Sequence, residues 1–217
     1  SLGGRCRYDL GLFEVDERSA LRVYPYLKPD YMLITNLSRD SIMRNAHPEY
    51  IRDILTKYIP KETKLILNAD DLICCGIAPE NPRVYFGIEK MDTDVTDCVN
   101  LINDLQICPQ CHRRLEYEYR RYNHIGRAYC PHCGFKAPAY DYAGCHVDLD
   151  KMRIDVRDAA GIGHYRLLNE SIFNIYNVVS AVALLREIGY SHAQIEAFFA
   201  KLNIVGSRYD AETIGSR

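Results

Sequence analysis

Tyr31-Met32-Leu33-Ile34-Thr35-Asn36 and Lys64-Leu65-Ile66-Leu67-Asn68-Ala69-Asp70-Asp71 are short apolar runs that each finish in polar or acidic residues. Between them, Pro48 to Ile59 places Ile51, Ile54, Leu55 and Tyr58 at the i, i+3, i+4, i+7 spacing of one helix face, with a proline suited to a first turn. Strand, helix and strand in that order make a βαβ unit, and such units build parallel sheets. Unbroken apolar runs, without polar alternation, indicate strands covered on both faces.

Outward from that unit, Tyr8 to Val15 holds Leu10-Gly11-Leu12-Phe13 and reads as a further buried strand delivering Glu14 at its end, followed by a helix over Ser19 to Leu27. Three strands finishing in Asn, Asp or Glu gather their polar ends along one edge of the sheet, the edge where open α/β sheets bind ligands. Glu14 is thus a candidate Mg²⁺ ligand, because hard cations take carboxylate oxygens. Arg83 to Ile88 fits one more strand at the sheet's margin.

Towards the C-terminus, Cys145 to Leu149 and Met152 to Val156 alternate apolar with polar residues, as a half-buried antiparallel pair does, and His164 to Leu168 suits another strand. Ser171 to Ile188 is the longest helix, with Gly189 as its stop. Asn174 and Asn177 share a face in its first turns; either the pair reads an amide-like or purine edge, or one of them caps the helix. A short helix follows from Ser191, a natural N-cap, to Leu202. Gly206 to Asp210 forms a polar linker.

Into this body is set Cys108-Pro109-Gln110-Cys111, eighteen residues, then Cys130-Pro131-His132-Cys133. Two C-x-x-C pairs at that separation close a four-thiolate tetrahedral site, a zinc ribbon with no open position for water and therefore a structural role. Nine cysteines, an odd number, with Cys74 and Cys75 adjacent in an apolar run, suit a reducing compartment. His112, His124 and His132 lie close by and either replace a sulfur ligand or are polar loop residues. Glu116 to Tyr122 alternates aromatic with charged residues, the pattern of a hairpin with one packed face. Arg113, Arg114, Arg120, Arg121 and Arg127 either form a surface for nucleic acid or a protein partner, or face water around a tyrosine core; Glu116 and Glu118 dilute their field.

The 217 residues, 47% apolar and 26% charged, suffice for one substantial core plus a small satellite. A net charge of -2 supplies no basic footprint for nucleic acid. No apolar run reaches the roughly twenty residues of a membrane span, and no signal pattern opens the chain; the expectation is a soluble, cytoplasmic protein.

Read together, Phe13-Glu14-Val15-Asp16-Glu17, Ile34-Thr35-Asn36-Leu37-Ser38-Arg39-Asp40, Leu67-Asn68-Ala69-Asp70-Asp71 and Phe173-Asn174-Ile175-Tyr176-Asn177 resemble, in that order, the central ATP-binding domain of the Mur ligase family. A four-cysteine ribbon between the third and fourth blocks is similar to the branch of that family that amidates lipid II. The resemblance implies an α/β fold, a mostly parallel sheet flanked by helices, over residues 1–106 and 140–205. The inserted zinc ribbon would occupy 107–139, and 206–217 would lead towards a C-terminal domain.

By the same resemblance, Glu14 binds the Mg²⁺ of MgATP, Asn36 lies in the nucleotide cleft, Asn174 and Asn177 contact adenine, and Arg208 reaches the ribose or phosphates. The reaction implied is amidation of the D-glutamate α-carboxyl of lipid II to isoglutamine, with ammonia from a GatD-like glutaminase partner and peripheral contact with the membrane-bound substrate. The sequence also departs from the family. No Gly-rich loop ending in Gly-Lys-Thr or Gly-Lys-Ser occurs, and Ser38 to Arg44 keeps an Arg-Asp pair but not its surroundings. The expectation is an excised core without the phosphate loop or the C-terminal domain, holding no catalytic residue and inactive alone.

Overall fold

The structure is a computed structural model describing residues 9–37, 48–97 and 105–202. A 3₁₀ turn, Glu17–Ser19, leads into α1 (Ala20–Val23), β1 (Tyr31–Ile34), α2 (Pro48–Tyr58), β2 (Lys64–Asn68), α3 (Leu72–Cys75) and β3 (Arg83–Ile88). The hairpin β4 (Glu116–Tyr122) and β5 (Ile125–Tyr129) precedes β6 (Tyr142–Asp148), β7 (Arg153–Asp158), β8 (Gly161–Arg166), α4 (Ile172–Glu187) and α5 (His192–Phe199).

The main sheet runs β1-β2-β3-β6-β7-β8. Its first four strands are parallel, and β6, β7 and β8 form an antiparallel meander. β2 is covered on both faces, as its unbroken apolar run requires: Leu65 and Leu67 pack with Ile51 and Leu55 of α2 and with Ile59 just after it, and Ile66 packs with Ile175, Val179 and Val182 of α4. α4 runs against the strand direction. Its last turn holds Lys64 at the start of β2 through Glu187, and the Tyr176 hydroxyl near its first turn bonds Asp70 beyond the end of that strand. Ser191 and Gln194 form a reciprocal capping box on α5.

Three expectations are corrected. β3 is interior, between β2 and β6, with Phe86 and Ile88 fully buried. The whole ribbon intervenes in sequence between β3 and its second neighbour, so a local reading misses that pairing. Residues 9–16 form no strand, and Leu12 and Phe13 are 87% and 66% exposed. Apolar content alone does not make a strand without a ladder partner, and the only described neighbour of β1 is β2. The expected helix after it is also shorter, ending at Val23 before a turn.

Candidate functional site

The ribbon is built from two matching turns. Cys108 N–H donates to the Arg113 carbonyl at 2.8 Å and His112 N–H to the Cys108 carbonyl at 3.0 Å; Cys130 to Phe135, 2.7 Å, and Gly134 to Cys130, 3.0 Å, repeat the pattern. Each turn needs a left-handed residue after its second cysteine, and His112 (φ 58°) and Gly134 (φ 76°) supply it. The result brings Cys108 Sγ to 3.7 Å from Cys133 Sγ and Cys111 Sγ to 3.5 Å from Cys130 Sγ, with all four sulfurs within 4.8 Å of one another. Tetrahedral bonds of about 2.3 Å set sulfurs about 3.8 Å apart, so the four thiols fit one such metal ion. Desolvation works against the Cys130 thiolate, but the Cys133 and His132 N–H groups bring its pKa down to about 7. Cys111, despite the Arg113 N–H favouring its thiolate, is pushed up to about 12 by desolvation and its thiol neighbours. A bound cation is what brings such a set to four thiolates together.

The polar tip of β2 is the second centre, and it is enclosed. Asp70 is fully buried, accepting from Tyr140 Oη at 2.5 Å, Tyr176 Oη at 2.7 Å, Ile88 N at 3.1 Å and Arg121 Nη1 at 3.2 Å. Arg121 also holds Asp94 with two nitrogens, at 3.0 and 2.8 Å, and donates to the carbonyls of Ile88 and Glu89. Asp71 caps α3 by accepting from Ile73 N and Cys74 N, receives Leu37 N at 2.7 Å, and lies 3.2 Å from His124 Nε2, both side chains fully buried. Asn68 donates to the Thr35 carbonyl at 2.8 Å.

These contacts correct two sequence readings. Arg121 does not face water or an external partner, its side chain being 3% exposed, and His124 is core rather than loop surface. Arg127 gives its guanidinium to the Pro138 and Ala137 carbonyls and stacks on Tyr140, while Arg120 stacks on Tyr117. The alternating pattern of β4 is borne out, with Tyr117 and Tyr119 buried between exposed Glu116 and Glu118.

Asn36 lies between Thr35 and Leu37, both tied to the β2 tip, and Asn177 follows Tyr176, which reaches the same tip. The structure thus brings Asn36 and the start of α4 to one edge. Asn174 spends its amide oxygen on the N–H groups of Leu168 and Asn169, whereas Asn177 is exposed. One turn from Asn177, Phe173 is 55% exposed with its ring 4.9 Å from that of Tyr122, an aromatic ledge beside the amide that the sequence reading missed. Glu14 is exposed on the wall of a cavity of about 580 Å³ shared with Tyr31, Met32 and Leu184, and no described contact ties it to the β2 tip. Arg208, Arg39 and Asp40 lie outside the described residues, as does the 206–217 linker.

Burial alone raises the Asp71 carboxyl, but His124, the Leu37 N–H and the Cys74 thiol hold it below the ordinary carboxylate value. An unfolded Asp titrates near 3.9, so on acidification the unfolded chain binds the proton first. The stabilisation is therefore complete above about pH 5 and is lost as pH falls below about 4. We expect the melting-temperature gap between the wild type and Asp71→Asn to be present at about pH 5 and to close below about pH 4, read by scanning calorimetry.

No family model matches the chain. Over 214 residues it is 29% identical to the lipid II isoglutaminyl synthase (glutamine-hydrolyzing) subunit MurT of Streptococcus pneumoniae, a match covering 96% of this chain and 47% of that protein. It is 30% identical over 193 residues to the MurT subunit of Staphylococcus aureus strain COL, covering 88% and 43%. The chain thus spans a little under half the length of the curated relatives it matches. Among solved structures, a pseudomurein peptide ligase type C from Methanothermus fervidus shares the fold at a TM-score of 0.68 and 26% identity, over 89% of this chain and 37% of that one. A UDP-N-acetylmuramoyl-L-alanyl-D-glutamate–2,6-diaminopimelate ligase shares it at 0.56 and 12% identity, over 89% and 32%. The resemblance to Mur ligases carried by the four sequence blocks holds in both comparisons.

Proposed function

We propose that this chain is the nucleotide-binding core of an ATP-dependent amide ligase acting on a peptidoglycan precursor, in the manner of the MurT subunits it resembles. The specific reaction we infer is amidation of the D-glutamate α-carboxyl of lipid II to isoglutamine. The relatives are named as subunits of a glutamine-hydrolyzing synthase, which supports a GatD-like glutaminase partner as the ammonia source. Work in the cytoplasm, with peripheral contact at the membrane carrying lipid II, fits a chain in which no described helix is long and apolar enough to cross a membrane.

The observation that carries the reading is the sheet edge, where the residues flanking Asn36, the Asn68–Asp71 tip and the first turns of α4 meet beyond the carboxyl ends of the parallel strands. There the Phe173 ring and the Asn177 amide suit the flat face and polar rim of a purine, with Asn174 shaping the loop before the helix. Arg208 is assigned to the ribose or phosphates, whereas Glu14, on a cavity wall with Tyr31 at the start of β1 and Leu184 near the end of α4, sits towards the opposite end of the sheet and is given no part in this cleft. In the reaction, the carboxylate takes the γ-phosphoryl group and ADP leaves; ammonia then attacks the acyl carbon, loses a proton and displaces phosphate. Cationic groups around the phosphates offset the charge that develops in the first step. The ribbon holds one structural Zn²⁺ on Cys108, Cys111, Cys130 and Cys133.

The test is glutamine-dependent amidation of lipid II by the protein as the cell makes it, with its glutaminase, followed by mass spectrometry; no product with both subunits and MgATP present refutes the reading. A second result follows from the sequence. Lacking any Gly-Lys-Thr or Gly-Lys-Ser loop to cradle the triphosphate, the 217-residue chain alone binds MgATP no tighter than about 1 mM. Submillimolar affinity by calorimetry would contradict this.

A further inference from the structure

Asn36 is set between two anchored neighbours. The Thr35 carbonyl accepts from Asn68, and the Leu37 N–H donates to Asp71, so the loop after β1 is registered by side chains at the end of β2. A short carboxylate can fix a loop only if it is itself fixed. Asp71 is shared between the first turn of α3, Leu37 and His124, and His124 comes from the turn of the ribbon hairpin.

That turn is shaped to reach the tip. Asn123 takes a left-handed φ of 45°, and Gly126 lies so close to the facing strand that a Cβ there would stand 2.2 Å from the Tyr119 carbonyl oxygen. The approach lets Gly126 N–H donate to the Asp70 backbone carbonyl at 2.8 Å, while Arg121 and, through Tyr140, Tyr119 close over the Asp70 carboxylate. Neither aspartate has a water-facing side, both being fully buried. The hairpin thus supplies the polar lining that the strand tip lacks in its own segment.

We infer that the ribbon is a positioning element of the ligand edge: His124 orients Asp71, and Asp71 sets the loop that presents Asn36. His124 is a positioning residue, acting through Asp71, and touches no substrate. Its consequence for the nucleotide rests on the proposed placement of Asn36 in the cleft; the hairpin-to-loop linkage does not.

The experiment separates the two. In the protein as the cell makes it, His124→Leu removes the donor to Asp71, His124→Gln retains one, and His124→Asn is polar but too short to reach. Loss of a hydrogen bond to a buried carboxylate predicts that the Leu37 amide exchanges with solvent about tenfold faster, or more, in His124→Leu and His124→Asn than in the wild type. Exchange at Ile154 and Val156 in β7 stays unchanged, and His124→Gln recovers most of the protection. MgATP affinity falls by about tenfold in the same two variants and recovers with Gln. Wild-type protection of Leu37 in a folded His124→Leu or His124→Asn protein overturns the inference. Faster Leu37 exchange with unaltered MgATP affinity supports the linkage and refutes the placement of Asn36. If Leu does not fold, the Asn variant decides by the same readout; if neither folds, chelation of the ribbon metal in the wild type takes their place, and Leu37 protection that survives it overturns the inference.

Discussion

Replacing Arg121 by alanine lowers the melting temperature by about 10 °C, the largest shift expected from any single side chain outside the cysteines. Every donor on the guanidinium is used, on Asp94, Asp70, Tyr176 and two backbone carbonyls, and the three charged side chains are almost wholly shielded from water. Removing one partner of such a set leaves two carboxylates buried without their counter-charge, a loss of about 3–5 kcal/mol. For a chain of this length each kcal/mol moves the midpoint by about 2–4 °C. Arg121→Lys keeps the charge but not the planar fork, and is expected to fall between wild type and alanine. A double-mutant cycle with Asp94→Asn isolates the pair: the second change costs much less in the alanine background than alone. A shift below about 2 °C for Arg121→Ala would show that the network is dispensable.

What the sequence made legible was whatever repeats over a few residues. The stripes of α2 and α4, the unbroken runs of β1 and β2, the alternation in β4 and β7 and the paired C-x-x-C turns are local patterns, and the structure holds each of them. Asn68, Asp70 and Asp71 were legible as a polar tip, but their partners were not. Arg121 stands 51 residues from Asp70 and Tyr176 stands 106 away, and no periodicity links such positions. Parity does hold one clue. Tyr117, Tyr119 and Arg121 alternate along β4, so the packed face that takes the tyrosines also takes the arginine. Residues 9–16 fail for the opposite reason: their apolar composition satisfies a local rule, yet a strand exists only where another strand pairs with it, and none of those described does.

Stripping the proposed zinc from the ribbon should cost more than any of these substitutions, and the loss should reach the α/β body. The ribbon's own core is small, being Leu115, Tyr117, Ala128 and Ala137 with two of the cysteines and Leu72 borrowed from α3. A structural zinc contributes about 10–16 kcal/mol to folding in small metal-dependent domains, far beyond what that apolar cluster supplies. We expect one zinc per purified chain by elemental analysis, and Cys130→Ser or a strong chelator to unfold the hairpin. If the hairpin were an independent satellite, the body would keep its melting transition when the metal leaves. It is not built that way, because the hairpin carries Arg121, which offsets the buried charge of Asp70 and Asp94, and His124, which contacts the buried Asp71 carboxylate. Loss of the ribbon leaves all three carboxylates without those partners at once, so the body's transition should fall by more than in Arg121→Ala, and faster at low pH, where thiolates take up protons and release the metal. A metal-free protein whose melting curve matches that of the zinc-loaded form would refute both the zinc assignment and the coupling.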